Sequence, residues 1–348
     1  MSARSRLRTG VILFGLLHVG VVCAGFFAPY DPAAQDREHP YAPPMRPHFV
    51  DVNGRVHLRP FFYAQTLRVG SYDEYEENRA SIIPVKFFVH GARYRLLGAL
   101  PMRTHLFGGD LPLYLLGSDA YGRDLFSRVL FGAQVSLLAG LIGASLTLAI
   151  GLCIGAAAGF WGGWRDEALM RVAELFMALP WIYLLFAMRA FLPLAVPPLQ
   201  AFVLVVVVFA AVGWARPARM VRGIVISAKE RDFVRAARGF GASGGYLLRR
   251  HILPETAGVV LTQVAILGPQ FVLAEMTLSF LGLGMPEPVP SWGNMLASLQ
   301  HYNVLVSYWW MYLPVVIMVP FFLGYLLLAS LLQENSGAAK IEVARSGV

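Results

Sequence analysis

The residues with the most to offer chemically lie in a polar island between two membrane-length apolar runs, from Ser227 to Pro254. Arg231, Arg235 and Arg238 follow one another at helical spacing and form a cationic row on one face. Phe233, Ala236, Ala237 and Phe240 fall at i, i+3, i+4 and i+7 and make an apolar stripe on another. Ser227 with Glu230 reads as a capping box that starts this helix. Gly239 and Gly241 end it, and Ser243 caps a second helix through Leu253, before Pro254. The chemistry implied is recognition rather than bond-making. Small residues at mid-stripe permit close approach to another protein, whereas a lipid-binding face would carry Leu, Trp or Phe throughout. A basic helix resting on anionic lipid is the competing reading.

Bond-making chemistry finds little support. No G-x-x-x-x-G-K-[ST] pattern occurs, so the chain itself is not expected to hydrolyse a nucleotide. There is no H-E-x-x-H and no Cys/His cluster, so neither catalytic residues nor a metal site are expected. The eight histidines are scattered, and His18 reads as a packed or lipid-edge side chain. Cys23 and Cys153 both lie in apolar runs and read as small hydrophobes. Glu275 sits inside an apolar run, which makes it either a functional group in a transport pathway or a hydrogen-bonded structural residue. Arg171 and Glu174, three apart, neutralise each other, and Arg189 near a span end snorkels. Pro180, Pro269, Pro314 and Pro320 interrupt apolar helices as kinks or hinges.

The elements that must hold these residues follow from composition. Charged residues make up 14% of the chain and hydrophobic residues 57%, whereas a soluble domain carries about 25% charged residues. This is the composition of an integral membrane protein. The net charge of +8 sits mostly at span edges, which favours the positive-inside rule over nucleic-acid binding. Arg4, Arg6 and Arg8 precede a first span, about Val11 to Ala28, and place the N-terminus in the cytoplasm. The sequence after that span is a poor cleavage site for a signal peptide. Further spans are expected at about Val135–Phe160, Leu169–Leu192, Leu199–Trp214, Thr256–Leu281 and Trp309–Leu332. Gly151, Gly155 and Gly159 form a small-residue ridge on the second. The stretch Arg216–Glu255 carries an excess of Lys and Arg over Asp and Glu, as a cytoplasmic loop does.

The expected organisation is therefore residues 1–28 as cytoplasmic N-terminus and first span, and 29–131 as an external insert. Residues 132–332 form the membrane core, with a cytoplasmic loop at 215–255, and 333–348 form a cytoplasmic tail. In the insert, Phe49 to Leu58 alternates across Asn53-Gly54, a strong hairpin signal. Lys86 to Leu97 reads as a second hairpin across Gly91. No internal repeat is evident, which weighs against transporters built from inverted repeats.

At the polar island the sequence resembles the permeases of binding-protein-dependent ABC transporters. Their cytoplasmic signature, E-A-A, three residues, G, nine residues, I-x-L-P, is matched in register by Arg235-Ala236-Ala237, Gly241 and Leu253-Pro254. Arg235 and His251 depart from it as the dipeptide/oligopeptide branch does, and Ala242-Ser243 continue that branch's pattern. Three further segments resemble the branch: Leu116-Gly-Ser-Asp119-Ala-Tyr-Gly122-Arg123-Asp124 through Arg128 to Leu137, Ser279 to Gly284, and Ser291-Trp292-Gly293-Asn294-Met295-Leu296. The resemblance covers about Leu116 to Leu332 plus the first span. It points to the second permease subunit of a pair.

The resemblance implies an all-α polytopic membrane protein of about six transmembrane helices, the type I ABC importer permease fold, to which the residues themselves add a small β-containing insert. It implies a bacterial inner membrane location with both termini cytoplasmic. The partners it implies are a second permease subunit, two ABC ATPase subunits that carry ATP and magnesium, and a periplasmic or lipid-anchored solute-binding protein, but no nucleic acid. Phe233, Arg235, Ala236, Ala237, Arg238, Gly241, Ala242, Ser243, Leu253 and Pro254 would couple to an ATPase. Asp119, Gly122, Arg123, Asp124 and Arg128 would mark the entrance to the core, with Asp119, Arg123 and Asp124 joined in a salt-bridge cluster. Glu275, Ser279, Trp292, Gly293 and Asn294 would be pathway or gating candidates. The cargo would be di- or oligopeptides, with nickel or another small solute as the alternative. A self-sufficient secondary transporter is the remaining reading, and a membrane-embedded enzyme lacks any catalytic constellation.

Overall fold

The structure, a computed structural model, describes residues 3–346 apart from 69, 72–73, 97–99, 192 and 194–195. The expected hairpin and span ends at Leu97 and Leu192 lie outside the described residues, as do the first two and last two residues of the chain. The fold is mainly helical with a β insert. It divides into two compact units, residues 1–14, 137–278 and 322–348 in one and 15–136 and 279–321 in the other.

Among the described residues, three helices are long and apolar enough to cross a membrane: Leu125–Trp161, Gly244–Phe280 and Trp309–Gln333. Two bent pairs raise the number to five if each is one span. This is fewer than the six expected, because Arg8–Val22 is apolar but shorter. The first helix, α1, covers Ala3–Val22.

The helix expected from Val135, α2, begins ten residues earlier and covers Leu125–Trp161. The Asp124 carboxylate accepts from the Ser127 amide at 2.8 Å and caps the extra turns. The expected third span is broken: α3, Gly163–Ala178, turns 93° into α4, Trp181–Ala190. Pro180 forces this. It pushes Leu179 out of the helical region, to φ −83° and ψ 139°, and supplies no amide of its own. After α5, Pro198–Gly213, the chain bends by 47° into α6, Ala215–Lys229. Helix α6 buries Ala215, Ala218, Val221, Val225 and Ala228, a spacing of three and four that keeps it helical where a polar loop was expected.

The glycine ridge of α2 is the reason α6 lies so close to it. A Cβ on Gly155 would stand 2.3 Å from the Ala218 carbonyl oxygen, and one on Gly159 2.9 Å from that of Arg222. Only hydrogen fits there, and the backbones meet as small-residue ridges allow. The end of α2 is also held electrostatically. Lys229 donates to the Phe160 carbonyl at 2.8 Å, a cation at a helix C-terminus. Arg222 pairs with Asp166 through Nε at 2.5 Å and through Nη2 at 2.6 Å.

The insert holds β1 (His48–Val50), β2 (Val56–Leu67), β3 (Tyr75–Pro84), β4 (Lys86–Leu96) and β5 (Leu100–Gly108). Strands β1–β2–β3 form one antiparallel sheet and β4–β5 a second. The Asn53-Gly54 turn is where the sequence predicts it. Gly54 takes φ +78°, and Asp51 accepts from the amides of Asn53 and Arg55. The hairpin predicted within Lys86–Leu97 does not form. Gly91 lies inside a continuous β4, where its missing Cβ admits the His105 ring, and β4 pairs with β5 instead. Phe62, Ile83 and Val85 pack with Ala42, Met45, Leu113 and Tyr114 into the insert's core.

Candidate functional site

Two places gather the residues singled out by sequence. The first is the short helix α7, Asp232–Gly239. The expected capping box is absent: Ser227 lies inside α6, and Arg231, extended at φ −68° and ψ 142°, occupies the N-cap position of α7. The burial of Val225 and Ala228 carries α6 past Ser227 and outweighs the capping preference. The far end follows the sequence closely. Gly241 takes φ +86°, its amide donates to the Arg238 carbonyl at 3.0 Å, and the Ala242 amide donates to Ala237 at 3.1 Å. This pair of bonds around a left-handed glycine is a Schellman motif. Ser243 precedes Gly244–Leu247 without a side-chain cap bond. The helix there does not stop before Pro254 but runs on through Leu253 and Pro254 into α8, Ala257–Phe280.

The face that α7 turns inward is narrow. Val234 is fully buried and Ala237 is half-buried, in a cluster with Ala156, Val225, Leu247 and Ile252, and Ala242 and Leu253 pack against it. The predicted stripe is therefore split. Ala237 faces the chain's own core, while Phe233 and Ala236 stay exposed and Phe240 is 92% exposed. Arg231 bridges Glu255 at 2.9 Å and Arg235 bridges Asp232 at 2.6 Å, while Arg238 is exposed.

The second place is a cleft of about 720 Å³ near the start of α2. Arg123 donates from Nε to Asp119 at 2.7 Å and from Nη1 to Glu287 at 2.6 Å. Arg128 donates from Nη2 to the two oxygens of Glu287 at 3.1 and 3.3 Å. Burial alone would lower the Arg123 guanidinium, but Asp119 and Glu287 outweigh it and leave it raised. Asp124 stands apart from the pairing expected of it. It is fully buried, caps α2, and has one oxygen without a hydrogen-bond partner. Burial pushes its carboxyl up to about 6. Gly122 allows the tight turn between Asp119 and Asp124: a Cβ there would overlap the Asp36 carbonyl. Glu287 escaped the sequence reading, although it is an isolated acid between Pro286 and Pro288 in an apolar stretch.

The remaining candidates are largely committed to their own chain. The Trp292 amide donates to Ser136 at 3.1 Å and its indole to the Val129 carbonyl at 3.1 Å. Asn294 completes a capping box with Ser291 at the start of α9, Trp292–Ala297, and Gly293 is buried beside it. The Ser279 hydroxyl accepts from the Met285 amide at 3.0 Å. Glu275 is buried in α8, one turn before Ser279. Among the described residues no group of three or more His, Cys, Asp or Glu side chains is placed to hold a metal.

Residues 151–336 match the family described as "Binding-protein-dependent transport system inner membrane component". More than half of the chain lies in that match, and the chain belongs to this family. Among similar curated proteins is the oligopeptide transport system permease protein OppC of Bacillus subtilis (strain 168), 35% identical over 195 residues, which are 55% of this chain and 62% of that protein. Another is the dipeptide transport system permease protein DppC of the same organism, 35% identical over 194 residues, covering 56% and 58%. The chain thus spans about six tenths of the length of the curated relatives it matches. A chain of the inward-facing MetNI methionine ABC transporter aligns with a TM-score of 0.45 and 15% identity, over 60% of this chain and 95% of that one.

Proposed function

We propose that this chain is a permease subunit of an ATP-driven importer, and that α7 is the element that docks on a partner ATPase. The observation that carries this reading is the divided stripe of α7. Val234 and Ala237 fix the helix to its own chain, while Phe233, Ala236 and Phe240 face solvent. A nearly fully exposed phenylalanine beside an exposed arginine, on a helix capped rigidly at its end, suits a protein cleft. The helix joins α6, the second half of a bent pair, on one side and leads on the other into the membrane-length helix Gly244–Phe280, so a push on it is delivered to both.

In this reading a second permease subunit completes the pathway, and two ATPase subunits bind ATP and magnesium. A solute-binding protein outside the cell delivers the cargo, and the insert helps seat it. The cargo is a peptide, supported by the names of the relatives that match. The chain lies in a bacterial inner membrane with both termini in the cytoplasm, and it performs no catalysis itself.

The test is Phe240→Asp, at a side chain 92% exposed to solvent. The variant is expected to insert and melt like wild type. It should lose co-purifying ATPase and ATP-dependent peptide uptake by about 30-fold, the loss of a hot spot of roughly 2 kcal/mol. Undiminished uptake by Phe240→Asp would overturn the proposal.

A further inference from the structure

We infer that the Arg123–Arg128 fork is a binding site for the carboxylate of a small solute, and that Glu287 is its resident, exchangeable occupant. The solute class rests on the importer reading above. The fork opens on the cleft of about 720 Å³, which Asp119, Glu287, Asn294 and His301 also line. Both arginines are almost fully buried, with side chains 7% and 2% exposed. Two guanidiniums that close together present their donors in the planar arrangement that matches a carboxylate.

The two acids that satisfy them are not equivalent. The side chain of Asp119 is 8% exposed and also accepts from the backbone amides of Tyr121 and Arg123, so it is fixed. The side chain of Glu287 is 48% exposed and reaches the fork from a proline-flanked loop about 160 residues away in sequence. Arg128 also donates to the Pro32 carbonyl at 3.2 Å, which holds it in place whatever fills the fork. A buried guanidinium without a counter-charge is strongly disfavoured. Asp119, 2.7 Å from Arg123 and 3.5 Å from Arg128, is one carboxylate shared by two guanidiniums, so the fork carries a surplus positive charge when Glu287 leaves it. Replacement by a solute carboxylate conserves charge on both sides of the exchange, whereas a neutral amide cannot make it.

The experiment uses the full chain in lipid nanodiscs, with trialanine and trialanine amide as probes. Glu287→Gln removes the competitor and keeps the side-chain shape. It should bind trialanine about tenfold tighter than wild type, the scale of one charge-assisted contact, and should bind the amide as wild type does. Equal trialanine affinity in the two proteins, or an equal gain for the amide, would overturn the inference. A measurement on wild type keeps it testable should the variant fold poorly. Saturating trialanine should speed amide exchange in residues 283–289, and the amide probe should not; unchanged exchange would overturn the inference as well. The importer reading fails separately. In that case ATP-dependent uptake of trialanine is missing while Glu287→Gln still tells acid from amide.

Discussion

Asp124 does two jobs that pull in opposite directions. Its oxygen caps α2 and favours the charged form, while complete burial favours the protonated one, and burial wins. The folded-state value, about 6, lies above the ordinary 3.8. Between those values the native chain holds a proton that the unfolded chain has released. The stability due to this group is therefore full below the lower value and falls as pH rises through the window. Asp124→Asn keeps an acceptor for the Ser127 amide and removes the charge. Relative to wild type it should gain up to roughly 3 kcal/mol as pH rises across that window, read from melting curves of both proteins. Parallel pH profiles would contradict this account. At this scale the sequence disclosed part of the site. Asp119 and Arg123, four apart around a glycine, meet as their spacing suggests. Glu287 was hidden because its partnership spans a distance along the chain that no local spacing reveals.

Helix periodicity was legible and helix ends were not. The ridge of Gly151, Gly155 and Gly159 was visible as a period of four, and it is the surface on which α6 rests. The start of α7 departs from the expectation because Ser227 has the chemistry of a cap, while the apolar face of α6 continues through it. Broken helices are hard to read from sequence for a related reason: Pro180 is visible, but whether a proline kinks a helix or ends it depends on what the flanking turns pack against. The contact between α2 and α6 gives a paired prediction. Gly155→Val should lower stability by about 1–3 kcal/mol through overpacking. Gly223→Ala, where a Cβ meets open space, should leave it unchanged or raise it by roughly 0.5–1 kcal/mol. Thermal melts of both variants decide the matter, and similar effects from the two would rule out backbone proximity as the cause.

For the whole molecule, composition alone announced a membrane protein, and the Asn53-Gly54 signal announced strands between the first two apolar runs. The pairing of β4 with β5 was beyond reach, because Gly91 looks like a turn in sequence and acts as a gap for His105 in space. The proposed orientation puts the insert outside and α7 inside. With Cys23 and Cys153 replaced by Ala, a cysteine at Val56, 77% exposed, should react with a membrane-impermeant maleimide added to intact cells. One at Phe240 should react only after the membrane is opened, and equal labelling of both in intact cells would refute the orientation. The base of the insert has a consequence of its own. The Ser118 amide donates to the Ala42 carbonyl at 2.9 Å, the Ala42 amide to the Ser118 hydroxyl at 2.8 Å, and the Met45 amide to the Tyr114 carbonyl at 2.9 Å. The polypeptide leaves and returns there side by side, yet the insert is held elsewhere too: the His105 ring bonds the Ala28 carbonyl, Tyr75 donates to the Pro40 carbonyl at 2.7 Å, and the Phe107 ring lies beside that of Phe126. The exposed turn at Asn53-Gly54, where a Cβ on the glycine would meet open space, is by contrast free to be lengthened over generations at little thermodynamic cost. Evolution can therefore remodel the tip of the insert while its base stays fixed to the chain beneath.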